Sequence, residues 1–348
     1  MILPQSYVTA LFLMILCALC WGSWANTYKL TTKWRFELYY FDWVFGALLV
    51  AVILALTAGS LGYDGFSFLD DILIVSKRAW LFGFLAGVIF NLGNMFLMAS
   101  LAVAGIAVAF PVAMGISIMV GTVVNFAIHR SGAVTFLLLG SGLLLGAIVA
   151  AIMAYRNLLI LRHEEIARAG KAKSTRRPAS WKAIVLAAVG GVLLGSFSPL
   201  IEGARAGEIG MGPYSLAVLF AVGVTASTLM FNLFFMNLPV EGEPLEIPHY
   251  FRGAWKNHLL GLTGGALWSA GLVAALVASE APEQVRPGRS ILNAISQSAA
   301  LLAAACGVVL WKEFRGADER VKTLEALALL LFAGGIGLLA IAPMFSAK

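Results

Sequence analysis

The sequence predicts an all-α integral membrane protein of ten transmembrane helices, arranged as two inverted five-helix repeats. Three observations predict it: a charge-poor apolar composition, ten apolar runs of membrane-spanning length, and motifs that recur in the second half of the chain. Of 348 residues, 60% are hydrophobic and 12% charged, with a mean hydropathy of +0.89. Soluble domains carry about 25% charged residues, so the medium that suits this chain is lipid.

About 20 apolar residues cross ~30 Å of hydrocarbon as a helix. Such runs occur near 8–28, 38–58, 80–101, 104–128 and 134–155, then near 182–202, 213–236, 256–278, 287–311 and 322–344. No basic region precedes the first run and no small-x-small cleavage pattern follows it, so it is expected to be a retained helix. Stretches such as Leu137–Ala154 do not alternate apolar and polar residues as a membrane barrel would, which leaves helices as the spanning structure that satisfies every backbone group in lipid.

The most polar stretch, Arg156–Lys182, separates the halves. The expected organisation is therefore a first repeat over 1–156, a basic linker over 157–181 and a second repeat over 182–348. Gly22-Ser23-Trp24 matches Gly195-Ser196-Phe197 at an offset of 173, and Gly83, Gly87, Phe90 and Gly93 match Gly261, Gly265, Trp268 and Gly271 at 178. His129–Gly132 falls opposite Glu313–Gly316 at 184. A repeat of five spans, an odd number, places its second copy upside down.

Charge sets the orientation. Seventeen of the twenty-four Lys and Arg residues lie in the linker or on its side, and seven lie on the other. The positive-inside rule makes the linker cytoplasmic and both termini external, in a multi-pass protein of the plasma or inner membrane. The formal charge of +6 is thus a topology signal and implies no nucleic acid. Cys17, Cys20 and Cys306 sit in apolar runs and read as small buried hydrophobes, so no metal is expected.

Gly83-x-x-x-Gly87 and Gly261-x-x-x-Gly265 read as helix-packing faces, where small residues let backbones approach. Buried polar groups in lipid need partners or a solute. Candidate solute-binding residues are Trp21, Trp24 and Asn26 in the first span, and Asn91 and Asn94 in the third. The later candidates are Ser196 and Ser198 in the sixth, Trp268 in the eighth and Gln297 in the ninth. Pro199 is expected to break the sixth span by removing a backbone donor. Asp42 and Glu202 are the candidate proton-coupling carboxylates. A site of Trp, Asn, Gln and Ser without a central charge suits a neutral, hydrogen-bonding solute with a flat apolar face.

Several motifs carry a family likeness. Gly22-Ser23-Trp24 with Tyr39-Tyr40-Phe41-Asp42, Leu92-Gly93-Asn94, Ser196-Phe197-Ser198-Pro199 and Trp311-Lys312-Glu313-Phe314 together resemble the drug/metabolite transporter superfamily. Within it, the chain resembles the ureide permeases and the glucose/ribose porters. Ala25 stands where that family's first motif has Pro, and Ser269-Ala270-Gly271 lacks its second Asn. The resemblance implies the drug/metabolite transporter fold and proton-coupled uptake of ureides, nucleobases or sugars, with Asp42 in the family's Asp position.

Rival classes lack their motifs. His163-Glu164-Glu165-Ile166-Ala167 is not a zinc-protease helix, and Gly170-Lys171-Ala172 does not complete a phosphate loop. The expectation is therefore a permease, with an exporter and then a receptor or scaffold as alternatives. It has no catalytic residues and no cofactor. Its partners are a small-molecule solute, protons and the bilayer, and a homodimer is left open.

Overall fold

The computed structural model describes residues 1–168 and 181–345. In chain order the helices are α1 (Tyr7–Lys29), α2 (Phe36–Leu56), α3 (Ala58–Leu61), α4 (Phe68–Ile74), α5 (Lys77–Ala104), α6 (Ile106–His129) and α7 (Val134–Arg168). They continue as α8 (Trp181–Ser196), α9 (Ser198–Arg205), α10 (Pro213–Asn237), α11 (Pro248–Phe251), α12 (Trp255–Ser279), α13 (Arg289–Val309) and α14 (Glu319–Ile341). Among the described residues, ten stretches are long and apolar enough to cross a membrane. The chain is a multi-pass membrane protein.

The helix limits follow local chemistry. Ser6 caps α1 by accepting from the Thr9 N–H at 3.1 Å, and Asp318 caps α14 by accepting from Val321 N–H at 2.9 Å. Pro213 opens α10, where a missing N–H costs nothing. The sixth expected span is broken at Phe197, between α8 and α9, with Pro199 in the first turn of α9. α7 runs on to Arg168, so the first part of the expected linker, 157–168, is helical. The remainder of that linker lies mostly outside the described residues.

The chain divides into two compact units, each drawing on both sequence halves. The first comprises 1–95 and 196–299, and the second 96–195 and 300–348. In the first unit, glycines set the interhelix spacing. A Cβ at Gly87 would lie 2.1 Å from the Phe220 carbonyl oxygen, and one at Gly265 would lie 1.7 Å from that of Trp43. Gly83 faces Leu216, and Gly261 faces Asp42.

In the second unit, α14 packs antiparallel to α7. Gly140 meets Leu339 and Gly335, Gly335 meets Leu144, and Gly146 meets Leu331. Ile118, Leu144, Ala147, Phe332 and Ile336 form the core beside them. Cys17 and Cys20 are buried, Cys306 is half-buried, and all three are free thiols.

Candidate functional site

The close approach of α1, α2, α5, α10 and α12 in the first unit brings large aromatic rings together. Trp43, fully buried, stacks on Tyr40 at 5.1 Å between centroids and lies 5.5 Å from Trp24 and 5.2 Å from Trp268. Trp268 in turn packs 4.6 Å from Phe90 and 5.9 Å from Phe220. Phe197, at the helix break, meets both phenylalanines. Trp21 donates its indole N–H to the Trp268 carbonyl at 3.1 Å, which ties α1 to α12.

An amide network borders these rings. Tyr40 donates its hydroxyl to Asn91 Oδ1 at 2.9 Å and accepts from Asn94 Nδ2 at 3.0 Å. Asn91 Nδ2 reaches three acceptors on α10: Val224 O at 3.1 Å, Ser227 Oγ at 2.9 Å and Thr228 Oγ1 at 3.0 Å. Those hydroxyls spend their own protons on the preceding turn of α10, which leaves lone pairs for the amide. Asn91 is thus an interhelix fastener satisfied within the protein.

Other polar atoms are left over. The Trp43 Nε1 and Ser269 Oγ atoms are buried with no hydrogen-bond partner among the described residues, and so is Gln297 Oε1. An orphan of this kind in a buried site is costly and is the group a solute would satisfy.

The structure gathers Trp21, Trp24, Asn91, Asn94 and Trp268 into this one region. The remaining candidates sit differently. Asn26 turns back to donate to Ser23 O at 2.9 Å. Ser196 ends α8 half-buried, whereas Ser198 opens α9 exposed to its surroundings. Trp43 was hidden by looking like any apolar residue of a span.

A polar cluster flanks the box at the end formed by the α1–α2 and α10–α12 connections. Asp42 Oδ1 accepts from the Tyr250 hydroxyl, and Oδ2 lies 2.9 Å from His258 Nδ1. Trp34, Phe41 and Tyr250 enclose the pair, with Trp34 edge-on to His258 at 5.2 Å. Burial, then the bond to Asp42 and its charge, push the Tyr250 hydroxyl above its ordinary range, so it stays a donor. Gly261 makes room, because a Cβ there would sit 2.5 Å from that of Asp42. The partners Tyr250 and His258 lie 208 and 216 residues away in sequence, where no local pattern links them to Asp42.

At the other end of the first unit is a recess of about 300 Å³ lined by Asp71, Arg205, Met211, Pro213 and Glu280. Arg205 pairs with Glu280 and donates to Ser279 Oγ at 3.2 Å. Glu202, one turn earlier on α9, acts electrostatically on Arg205. Burial raises the Asp71 carboxyl above its usual range, partly offset by donation from Ser215 and the Gly212 N–H. Among the described residues no cluster of three or more His, Cys, Asp or Glu could hold a metal.

Known proteins resemble the chain in sequence and in fold. Ureide permease 1 of Arabidopsis thaliana is 29% identical over 129 residues, 36% of this chain and 33% of that protein. The match therefore spans about a third of the relative's length. A solved crystal structure, described only as that of a protein, superposes on 98% of this chain and 99% of its own, with a TM-score of 0.54 and 15% identity, and shares the fold. No family model matches.

Proposed function

We propose that the chain is a secondary active permease for a small neutral polar solute, such as a ureide, nucleobase or sugar, built as two inverted five-helix repeats. The observation that carries this reading is the buried box of Trp24, Tyr40, Trp43 and Trp268, with the unused indole N–H of Trp43 at its centre. Aromatic faces suit a flat or ring-shaped solute, and an N–H without a partner suits a carbonyl or hydroxyl oxygen. Trp24, Tyr40, Trp43 and Trp268 carry no formal charge themselves, which suits an uncharged cargo. The likeness to a ureide permease supports the same class.

Proton coupling runs through Asp42 on this reading. His258 and Tyr250 give its carboxylate an imidazole neighbour and a hydroxyl donor at the end we assign to the cytoplasm. Glu202 is the second candidate, beside Arg205. A drug exporter is the competing reading, and it predicts preference for cations.

A thermal-shift screen of the purified protein against allantoin, nucleobases, sugars and cationic drugs tests the proposal. Ligand at 100 times its Kd stabilises the folded state by about 2.7 kcal/mol. Stabilisation by a neutral solute is expected; stabilisation by cationic drugs alone would overturn the reading.

A further inference from the structure

We propose that Glu325, a buried carboxyl of the second unit, is a proton-binding site, and that its proton governs the neighbouring carboxylate cap at the start of α6. Glu325 lies in the second turn of α14 and is 3% exposed. Neither of its carboxyl oxygens has a hydrogen-bond partner among the described residues. The antiparallel register of α14 on α7, carried down from Gly335 and Leu331, sets position 325 opposite residues 152–154, beside buried Ala151 and Ala154.

Glu313 is the contrasting case. Its Oε1 accepts from Ile106 N–H at 3.0 Å and its Oε2 from Ala107 N–H at 2.8 Å, so one side chain caps the N-terminus of α6 from a distant part of the sequence. Gly105, at φ +88°, makes this possible: a Cβ there would lie 2.6 Å from Glu313 Oε2. That arrangement suits an anion, and Glu325 is near enough to feel its charge.

Two bare carboxylates within electrostatic reach of each other, one of them buried without a donor, are strongly disfavoured. A proton on Glu325 removes the conflict and needs no cavity. A metal ion would need several more oxygen ligands than this place offers.

The surrounding charges do not substitute for that proton. From α7 come Tyr155 and Arg162, and the Arg162 guanidinium donates to the Glu313 main-chain oxygen at 2.6 Å. The turn before α14 brings Lys312 and Arg315, both exposed. On α14 itself, Glu319 and Lys322 pair with each other at the surface. The titratable group of α6, His129, is at its far end. Loss of the Glu325 proton therefore sets a second negative charge against Glu313. The cap weakens, and the α5–α6 junction at Gly105 is released.

Linking this release to solute movement rests on the permease reading; proton binding itself does not. Infrared titration of the wild-type protein in nanodiscs reads the site directly and needs no solute, so a silent solute screen leaves it standing. The expected result is a neutral carboxylic-acid band that disappears reversibly as pH is raised and is absent from Glu325→Gln. A band that does not titrate, or that survives in Glu325→Gln, overturns the proposal. Should that variant fail to fold, carbodiimide labelling of the wild type decides: adducts at Glu325 that slow as pH rises support it, and no adduct at any pH refutes it.

Discussion

Single hydroxyls and carboxyls carry much of the first unit's definition. The Tyr40 hydroxyl serves both Asn91 and Asn94, so Tyr40→Phe leaves a buried carbonyl and a buried amide N–H without their partner. The expected cost is about 1–3 kcal/mol, read as a lower unfolding midpoint, whereas Ser23→Ala, whose 3.4 Å bond is marginal, should change little. Asp71 makes stability pH-dependent in a predictable sense. Its folded-state affinity for a proton exceeds that of the unfolded chain, whose carboxylate titrates near about 3.9. Its favourable contribution is therefore complete below that value and is lost as pH rises through the raised folded one. Asp71→Asn should flatten this slope in melting curves recorded across that window, and an unchanged slope would acquit Asp71. For Asp42, replacement by Asn should abolish accumulation driven by a pH gradient in proteoliposomes while solute exchange continues; unaltered accumulation would remove it from coupling. Asp42 was legible as an isolated carboxylate at a span end, but His258 and Tyr250 were not, because only the fold brings their loop to it.

Helices were the most legible level of the sequence, since length and hydropathy alone locate spans that must satisfy their own backbones. The break at Phe197 was also readable, from Pro199 beside Gly195 and Ser196. What composition could not supply was the end of α7, whose charged residues 162–168 continue a helix past the apolar run. The recurrent Gly261-x-x-x-Gly265 pattern did read as a packing face, and a Cβ at Gly265 would meet the Trp43 carbonyl at 1.7 Å, whereas at Gly142 nothing lies within 4 Å. Gly265→Ala should force α12 away from α2 and cost about 1–3 kcal/mol by overpacking. Gly142→Ala should be neutral or slightly stabilising, since alanine favours a helix. Equal melting temperatures for the two variants would mean that α2 and α12 do not depend on this contact.

At the scale of the molecule, the decisive expectation is inversion, because it follows from an odd number of spans per repeat and from nothing else. The loop after the second span and the loop after the seventh are equivalents in the two halves, so inversion puts them on opposite faces of the membrane. Tyr63 lies fully exposed in the first loop and Glu241 exposed in the second. With Cys17, Cys20 and Cys306 replaced by Ala, Tyr63→Cys should react with an impermeant maleimide in intact cells, and Glu241→Cys only after permeabilisation. Arg168→Cys, three spans beyond Tyr63 at the end of α7, should behave like Glu241→Cys. The charge distribution assigns the sides and the odd spacing assigns their opposition, so the two can fail separately. A mirror-image pattern would mean that the basic linker does not face the cytoplasm. Labelling of Tyr63→Cys and Glu241→Cys from one side would refute the inverted repeat, since no choice of orientation then makes five spans carry the chain across.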